Sequence, residues 1–332
     1  MVDFKRFLVS LAQKISAYVE IARVSVIFMG LPFAMAGAAF ALSRTLLPIP
    51  IWQAIAGVLI VFLVTGAIHT VDDYFDRQRD RSLWPNRPLP SRATTPKVAL
   101  IIVCASLGFG FALALAFFNI YCVLVLLIAT IWAIAYTGYL REKFGYLTLP
   151  FAIGLFPVGG YVAFSSQTLG TDPIPWLLYI MVFFWQSAHI LAYSPPHGVK
   201  NGQTIVPLFL KRFSPRVTLM CSGVFAGACM GIGIIIYNLT HLSYLYLEIT
   251  VGLGLLLVSL AFYFAKNLTL KNCMRLVFLN SMYGALVFLI MTLEFLYRYD
   301  LVFFYAILFL GILMMALTPI LGGFGVPNSQ IE

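Results

Sequence analysis

The apolar positions of this chain fall in long uninterrupted blocks rather than on one face of a helix or in strand-like alternation. Each block is close to the ~20 residues that a helix needs to cross a bilayer. Ten such blocks can be read, at about 24–43, 51–71, 98–118, 119–140, 147–166, 174–193, 217–238, 243–265, 276–296 and 300–322. The third and fourth meet at "AFFNIY", which predicts a very tight turn. The pattern predicts an all-α, polytopic transmembrane bundle of nine spans plus a tenth. Gly and other small residues recur within the blocks, as in "MGLPFAMAGAA" and "SGVFAGACMGIG", and predict close helix packing.

The polar segments between the blocks assign an orientation. With the N-terminus inside, segments 1–23, 72–97, 141–146, 194–216 and 266–275 are cytoplasmic. All of the 21 Lys and Arg except Arg44 and Arg298 then lie inside. That bias predicts a multi-pass integral membrane protein with a cytoplasmic N-terminus. The long inner loops place any chemistry on the cytoplasmic side. Residues 1–23 carry Lys5, Arg6 and Lys14 and read as an amphipathic segment on the membrane surface, with no cleavable signal evident. The membrane domain then covers 24–322, and 323–332 form a short tail.

Composition agrees with this reading. The chain of 332 residues is 61% hydrophobic and 10% charged, against about 25% charged in soluble domains. Its net charge of +9 is accounted for by orientation and anionic headgroups, so nucleic acid is not an expected partner. The five cysteines have neither paired nor metal-ligand spacing and read as small core residues.

Against that background "HTVDDYFDRQRDRSLWPNRPLP" stands out, running from His69 to Pro90 just after the second block. On a helix Asp73, Asp76 and Asp80 share one face, with Asp72 beside them. Stacked carboxylates repel one another unless a cation sits among them. Mg²⁺ suits such a site, because it keeps its waters and is commonly completed by substrate phosphates. The interleaved Arg77, Arg79 and Arg81 add positive charge toward phosphates or lipid headgroups. The plainer alternative is a solvated helix end whose aspartates are neutralised by neighbouring arginines.

The stretch resembles the first aspartate-rich motif of the UbiA superfamily of intramembrane prenyltransferases, NDxxDxxxD followed by "NRPLP". Asp73, Asp76 and Asp80 fall on the pattern's aspartates, Asp72 stands where the family has Asn, and Asn86 to Pro90 reproduce the second part. The resemblance covers spans one to nine; a tenth is a departure. It implies a helical bundle around a central cavity, in which an isoprenoid chain passes from its diphosphate to an acceptor with Mg²⁺ on the diphosphate. Asp73 and Asp76 are then catalytic, Asp73, Asp76 and Asp80 hold the metal, and Asp72 and Arg87 bind the diphosphate together with Arg77. The family's tyrosines and basic residues after span four correspond to Tyr136, Tyr139, Arg141 and Lys143. The last two also read simply as positive-inside anchors.

The second polar loop departs from the family. It follows "WQSAH", in which Trp185, Gln186 and His189 are similar to the haem O synthase branch, but there is no acid between Asp172 and Glu248. One Mg²⁺ site is therefore expected, the carboxylates of a second being absent. Lys200 could neutralise the diphosphate as a point charge, with His197 and Asn201 donating hydrogen bonds; an ordinary basic loop is the alternative. His189 reads either as a substrate contact or as a packed bundle residue. Three functions remain open from the sequence. They are a prenyltransferase acting on a polyprenyl diphosphate and a membrane-soluble aromatic or haem-like acceptor, a degenerate relative that binds a prenyl lipid or a partner, and a cation-coupled transporter.

Overall fold

The capped apolar blocks become helices in the computed structural model, which describes residues 20, 24–45, 50–194 and 213–299. Segments 1–19, 195–212 and 300–332 lie outside the described residues. So do the expected tenth span and the tail, most of the N-terminal surface segment, and Lys200, His197 and Asn201.

Among the described residues nine long helices follow in order. They are α1 (Val24–Thr45), α2 (Ile51–Asp76), α3 (Pro96–Phe117), α4 (Ile120–Ala135), α5 (Leu155–Ser165), α6 (Ile174–Tyr193), α7 (Pro215–Leu239), α8 (Tyr244–Lys266) and α9 (Leu270–Tyr299). Eight candidate spans have the length and apolarity to cross a membrane, among them Ile120–Phe144 and Tyr146–Thr168, which extend α4 and α5 with short helical segments. The span expected at 147–166 is therefore broken into Tyr146–Thr148, Pro150–Ile153 and α5.

Local chemistry sets the ends. Thr95 caps α3 by accepting from Val98 N, with Pro96 in the first turn, where its missing N–H costs nothing. Ser214 caps α7 in the same way, followed by Pro215. The tight turn expected at "AFFNIY" is a cap: Asn119 Oδ1 accepts from Cys122 N at 3.1 Å. Its amide also donates to Val162 O at 2.6 Å and Ala163 O at 3.2 Å, which ties the turn to α5.

The main core is a buried cluster shared by α1, α5, α6, α7, α8 and α9, with Phe33, Tyr161, Trp185, Leu219, Tyr246 and Phe288 among its members. A smaller cluster, Ile60, Val64 and Ala114, joins α2 to α3. Helix α1 links the two, packing on α5, α9 and α2. Its small residues permit this. At Gly37 an added Cβ would lie 1.9 Å from Pro157 O, and at Gly160 one would lie 1.9 Å from Ala34 O, so α1 and α5 touch backbone to backbone. The space left between the α1–α5 pair, α2, α4 and α6 is the cavity described next.

Candidate active site

Helix α2 brings Asp72, Asp73 and Asp76 to its last turns; a turn follows, and the chain re-enters one helical turn at Asp80–Leu83. Asp73, Asp76 and Asp80 are 4%, 6% and 1% exposed, and Asp72 is half-buried. Buried carboxylates need charged or hydrogen-bonding partners, and three arginines supply them. Arg141 Nη1 donates to Asp72 Oδ1 at 2.9 Å and to Asp76 Oδ2 at 3.0 Å, while its Nη2 donates to Asp76 Oδ1. Arg79 Nη2 donates to Asp76 Oδ2. Arg87 Nη1 donates to Asp80 Oδ2 at 2.5 Å and lies 3.5 Å from Asp73 Oδ1.

Arg141 reaches α2 because α4 ends in a π-helical segment, Tyr136–Leu140, before the turn Arg141–Phe144. Such wide turns are frequent at functional sites. This one sets Tyr136, Thr137 and Arg141 against α2, with Thr137 Oγ1 3.4 Å from Asp72 Oδ1. It also carries Tyr139 round to the outside, where Tyr139 is exposed and accepts a hydrogen bond from Lys143 Nζ at 2.6 Å.

The carboxylates open onto a cavity of about 660 Å³. Asp72, Asp76, Asp80, Arg79, Arg87 and Arg141 line its polar end, with Tyr136, Trp185, Gln186 and His189. Apolar residues line the rest as far as Gln53, Gly57, Phe118 and Phe164 near the opposite end of α2. Of the residues the sequence singled out, Asp72, Asp76, Asp80, Arg87, Tyr136, Arg141 and His189 thus meet in one cavity.

Others do not meet there. Asp73, expected on the metal face, is not a lining residue; the i, i+4, i+8 set Asp72, Asp76 and Asp80 faces the cavity instead. Arg77 packs over the Tyr74 ring at 4.3 Å and donates to Tyr74 O, away from the cavity. Tyr139 and Lys143 also lie outside the lining.

Trp84, Thr137 and Tyr146 are among the lining residues that went unread in the sequence. Trp84 lies under the Arg87 guanidinium at 5.1 Å, and its place just before the "NRPLP" stretch was a signal. Thr137 and Tyr146 gave none. Glu20 was also missed. Its carboxyl is raised above the ordinary glutamate range, first by desolvation and then by Asp73, with Arg87 opposing.

The donor set suits a hard divalent cation. Asp80 Oδ1 is buried with no hydrogen-bond partner. The other carboxylate oxygens of Asp72, Asp76 and Asp80 named above face guanidinium groups, and no three Asp, Glu, His or Cys among the described residues converge as a ready metal site. Mg²⁺ does not require such convergence, since one or two carboxylates plus waters and phosphate oxygens complete its shell.

Comparison with known proteins decides the family. Residues 30–282 match the model of the UbiA prenyltransferase family. The chain belongs to the UbiA prenyltransferase family. It is 26% identical over 231 residues to protohaem IX farnesyltransferase 1 of Picrophilus torridus, covering 66% of this chain and 74% of that one. It is 26% identical over 268 residues to 4-hydroxybenzoate octaprenyltransferase of Nitrosomonas europaea, covering 75% and 88%. The fold matches a UbiA homologue from Aeropyrum pernix K1 with a TM-score of 0.64 and 22% identity, covering 81% and 96%. It also matches one from Archaeoglobus fulgidus bound to DMAPP and Mg²⁺, with a TM-score of 0.56 and 16% identity, covering 82% and 98%. UbiA membership makes the protein an intramembrane prenyltransferase and a multi-pass membrane protein. It also removes the transporter from the readings left open by the sequence.

Proposed function

We propose that this UbiA member transfers an isoprenoid chain from a polyprenyl diphosphate to a membrane-soluble acceptor, aromatic or haem-like, with the diphosphate held at the cytoplasmic end of the cavity. One observation carries the reading: three carboxylates and three arginines sit at the mouth of a long apolar cavity in the membrane domain. A diphosphate with a prenyl tail has that same division of charge. The Mg²⁺ seen with the Archaeoglobus homologue supports a metal here, and Asp72, Asp76 and Asp80 would hold it. Mg²⁺ would supply positive charge to the diphosphate as it leaves.

The chain's own residues do the rest. Arg79, Arg87 and Arg141 orient the carboxylates and place fixed charge around the leaving oxygens, preorganised at no cost during reaction. The loop 72–97 covers this end with Trp84 and Arg87; Lys200, read in the sequence as a point charge for the diphosphate, lies outside the described residues. The apolar walls keep water from the allylic cation. The direct test follows label from tritiated farnesyl diphosphate into protohaem or 4-hydroxybenzoate, using protein in vesicles with and without Mg²⁺. Mg²⁺-dependent product is expected. Lipid retained without any product in either acceptor would favour the degenerate binder.

Cavity depth bounds the donor. Gly57 lies 15 residues before Asp72 on α2, about 22 Å at 1.5 Å per residue. An extended isoprenoid unit spans four carbon–carbon bonds of about 1.5 Å, or about 5 Å along the chain. A tail of about five units therefore reaches Gly57, where an added Cβ meets only Phe118 Cζ at 3.7 Å. Gly57→Phe is expected to lower kcat/KM for an octaprenyl donor roughly tenfold or more relative to farnesyl diphosphate, the scale of a 1–3 kcal/mol overpacking cost. A donor-length series measures this; an equal loss at every length would mean that the tail does not run along α2.

A further inference from the structure

Whatever the acceptor, forming its bond to C1 of the prenyl chain releases one proton. A ring carbon loses it directly, a hydroxyl loses it from oxygen, and water adding beside an alkene loses it from water. Something in the cavity must take that proton. The lining carboxylates Asp72, Asp76 and Asp80 each pair with a guanidinium of Arg141, Arg79 or Arg87, and in the reading above they would also hold the metal. Tyr136 and Tyr146 are hydroxyl donors.

His189 is different, and its hydrogen bonds say how. It is half-buried in the cavity wall, four residues before the end of α6 at Tyr193, as Asp72 is four residues before the end of α2 at Asp76. Its Nδ1 lies 3.3 Å from Ser281 Oγ on α9. Ser281 Oγ also donates to Val277 O at 3.0 Å, and a carbonyl can only accept. The single hydroxyl proton is therefore used, so the contact to His189 requires Nδ1–H to donate to Ser281. That fixes the neutral tautomer in which Nε2 carries a lone pair, with no hydrogen-bond partner for Nε2 among the described residues.

The ring is also held rigidly. It stacks on Trp185 at 5.8 Å and 27°. Trp185 Nε1 donates to Asn280 O at 2.7 Å, and Asn280 Nδ2 donates back to Trp185 O at 3.3 Å. On the same helix, a Cβ at Gly284 would lie 2.3 Å from Trp185 Nε1, so α9 closes directly on the indole. A ring needed only to fill space requires neither a fixed tautomer nor such a clamp.

We propose that His189 is the proton acceptor of the transfer step and that Ser281 is its positioning residue. The inference rests on the prenyl-transfer reading above. In the step, the C1–O bond to diphosphate breaks and its electron pair leaves with the diphosphate. An electron pair of the acceptor forms the new bond to C1. The proton released by the acceptor passes to Nε2, giving an imidazolium that later returns it to solvent.

The test uses full-length protein in vesicles with Mg²⁺, tritiated farnesyl diphosphate and the acceptor that the wild type prenylates. His189→Gly is expected to lower transfer about 10²- to 10⁴-fold, the range for loss of a general base. Diphosphate should still be released, with free prenyl alcohol in place of product as water enters the space left by the ring, because breaking of the C1–O bond does not need the base. Added imidazoles should restore transfer in proportion to their basicity, and pyrazole, of the same shape but far weaker as a base, should not. Ser281→Ala should lower kcat with little change in the KM of the donor.

Normal transfer in His189→Gly overturns the proposal, and so does equal loss of transfer and diphosphate release. Rescue by pyrazole as good as that by imidazole would show that the ring is packing, and a larger loss in His69→Gln than in His189→Gly would move the base to His69. A wild type that prenylates neither acceptor fails the underlying reading instead.

Discussion

Replacing Asp76 by asparagine is expected to lower prenyl transfer by roughly a hundredfold to a thousandfold, the scale on which one stabiliser of leaving-group charge matters. Asp76 is the hinge of the acidic end: both of its oxygens accept from Arg141, and Oδ2 also accepts from Arg79. Asparagine keeps the shape and removes the charge. It thereby weakens any metal held with Asp72 and Asp80, and it frees Arg141 to swing wholly toward Asp72. Arg141 is 8% exposed, so part of the effect is on stability. Removing one partner of a fully buried ion pair costs about 3–5 kcal/mol, and the remaining Arg141–Asp72 contact keeps the loss below that. Turnover, donor binding and thermal unfolding of the same preparation separate the two effects. A folded Asp76→Asn protein with wild-type turnover would remove the acidic end from the chemistry.

Much of this site could be read in the sequence because charge is scarce in the chain. Four aspartates at the end of an apolar block have few physical explanations, and all four lie at the end of α2 or in the turn after it. Which three face the cavity was not readable. Helical spacing alone admits both Asp73–Asp76–Asp80 and Asp72–Asp76–Asp80, and only packing against α4 chooses the second. That packing depends on the π-helical segment Tyr136–Leu140. Apolar periodicity carries no signal for such a turn, so Tyr136 and Tyr139 looked equivalent, as did Arg141 and Lys143. The one member of each pair turned inward was decided by a local change of helical pitch. Ser281 was invisible for another reason: it lies 92 residues from His189, and a serine on a buried helix has no meaning until its neighbour is known. The small residues of α1 did announce close packing, while their partner helix α5 came only from the fold.

That packing gives a second large effect, visible as a contrast between two glycines. Gly→Ala inside a helix favours folding by about 0.5–1 kcal/mol when space allows, since glycine loses more backbone freedom. Gly57 has that space, its added Cβ meeting only a ring edge at 3.7 Å. Gly57→Ala should therefore leave thermal stability unchanged or slightly raised. At Gly160 the same methyl would stand 1.9 Å from Ala34 O and 2.8 Å from Ala34 C. Backbone cannot rotate aside as a side chain can, so α1 and α5 must separate within the main core. Overpacking in a well-packed interior costs about 1–3 kcal/mol and sometimes more, which outweighs the propensity gain and reverses the sign. Gly160→Ala should thus unfold at clearly lower temperature than wild type in the same detergent. It should also lose activity, because Ala34, Ala38 and Gly160 all line the cavity. Equal melting temperatures for the two variants would mean that α1 and α5 do not meet backbone to backbone in the membrane.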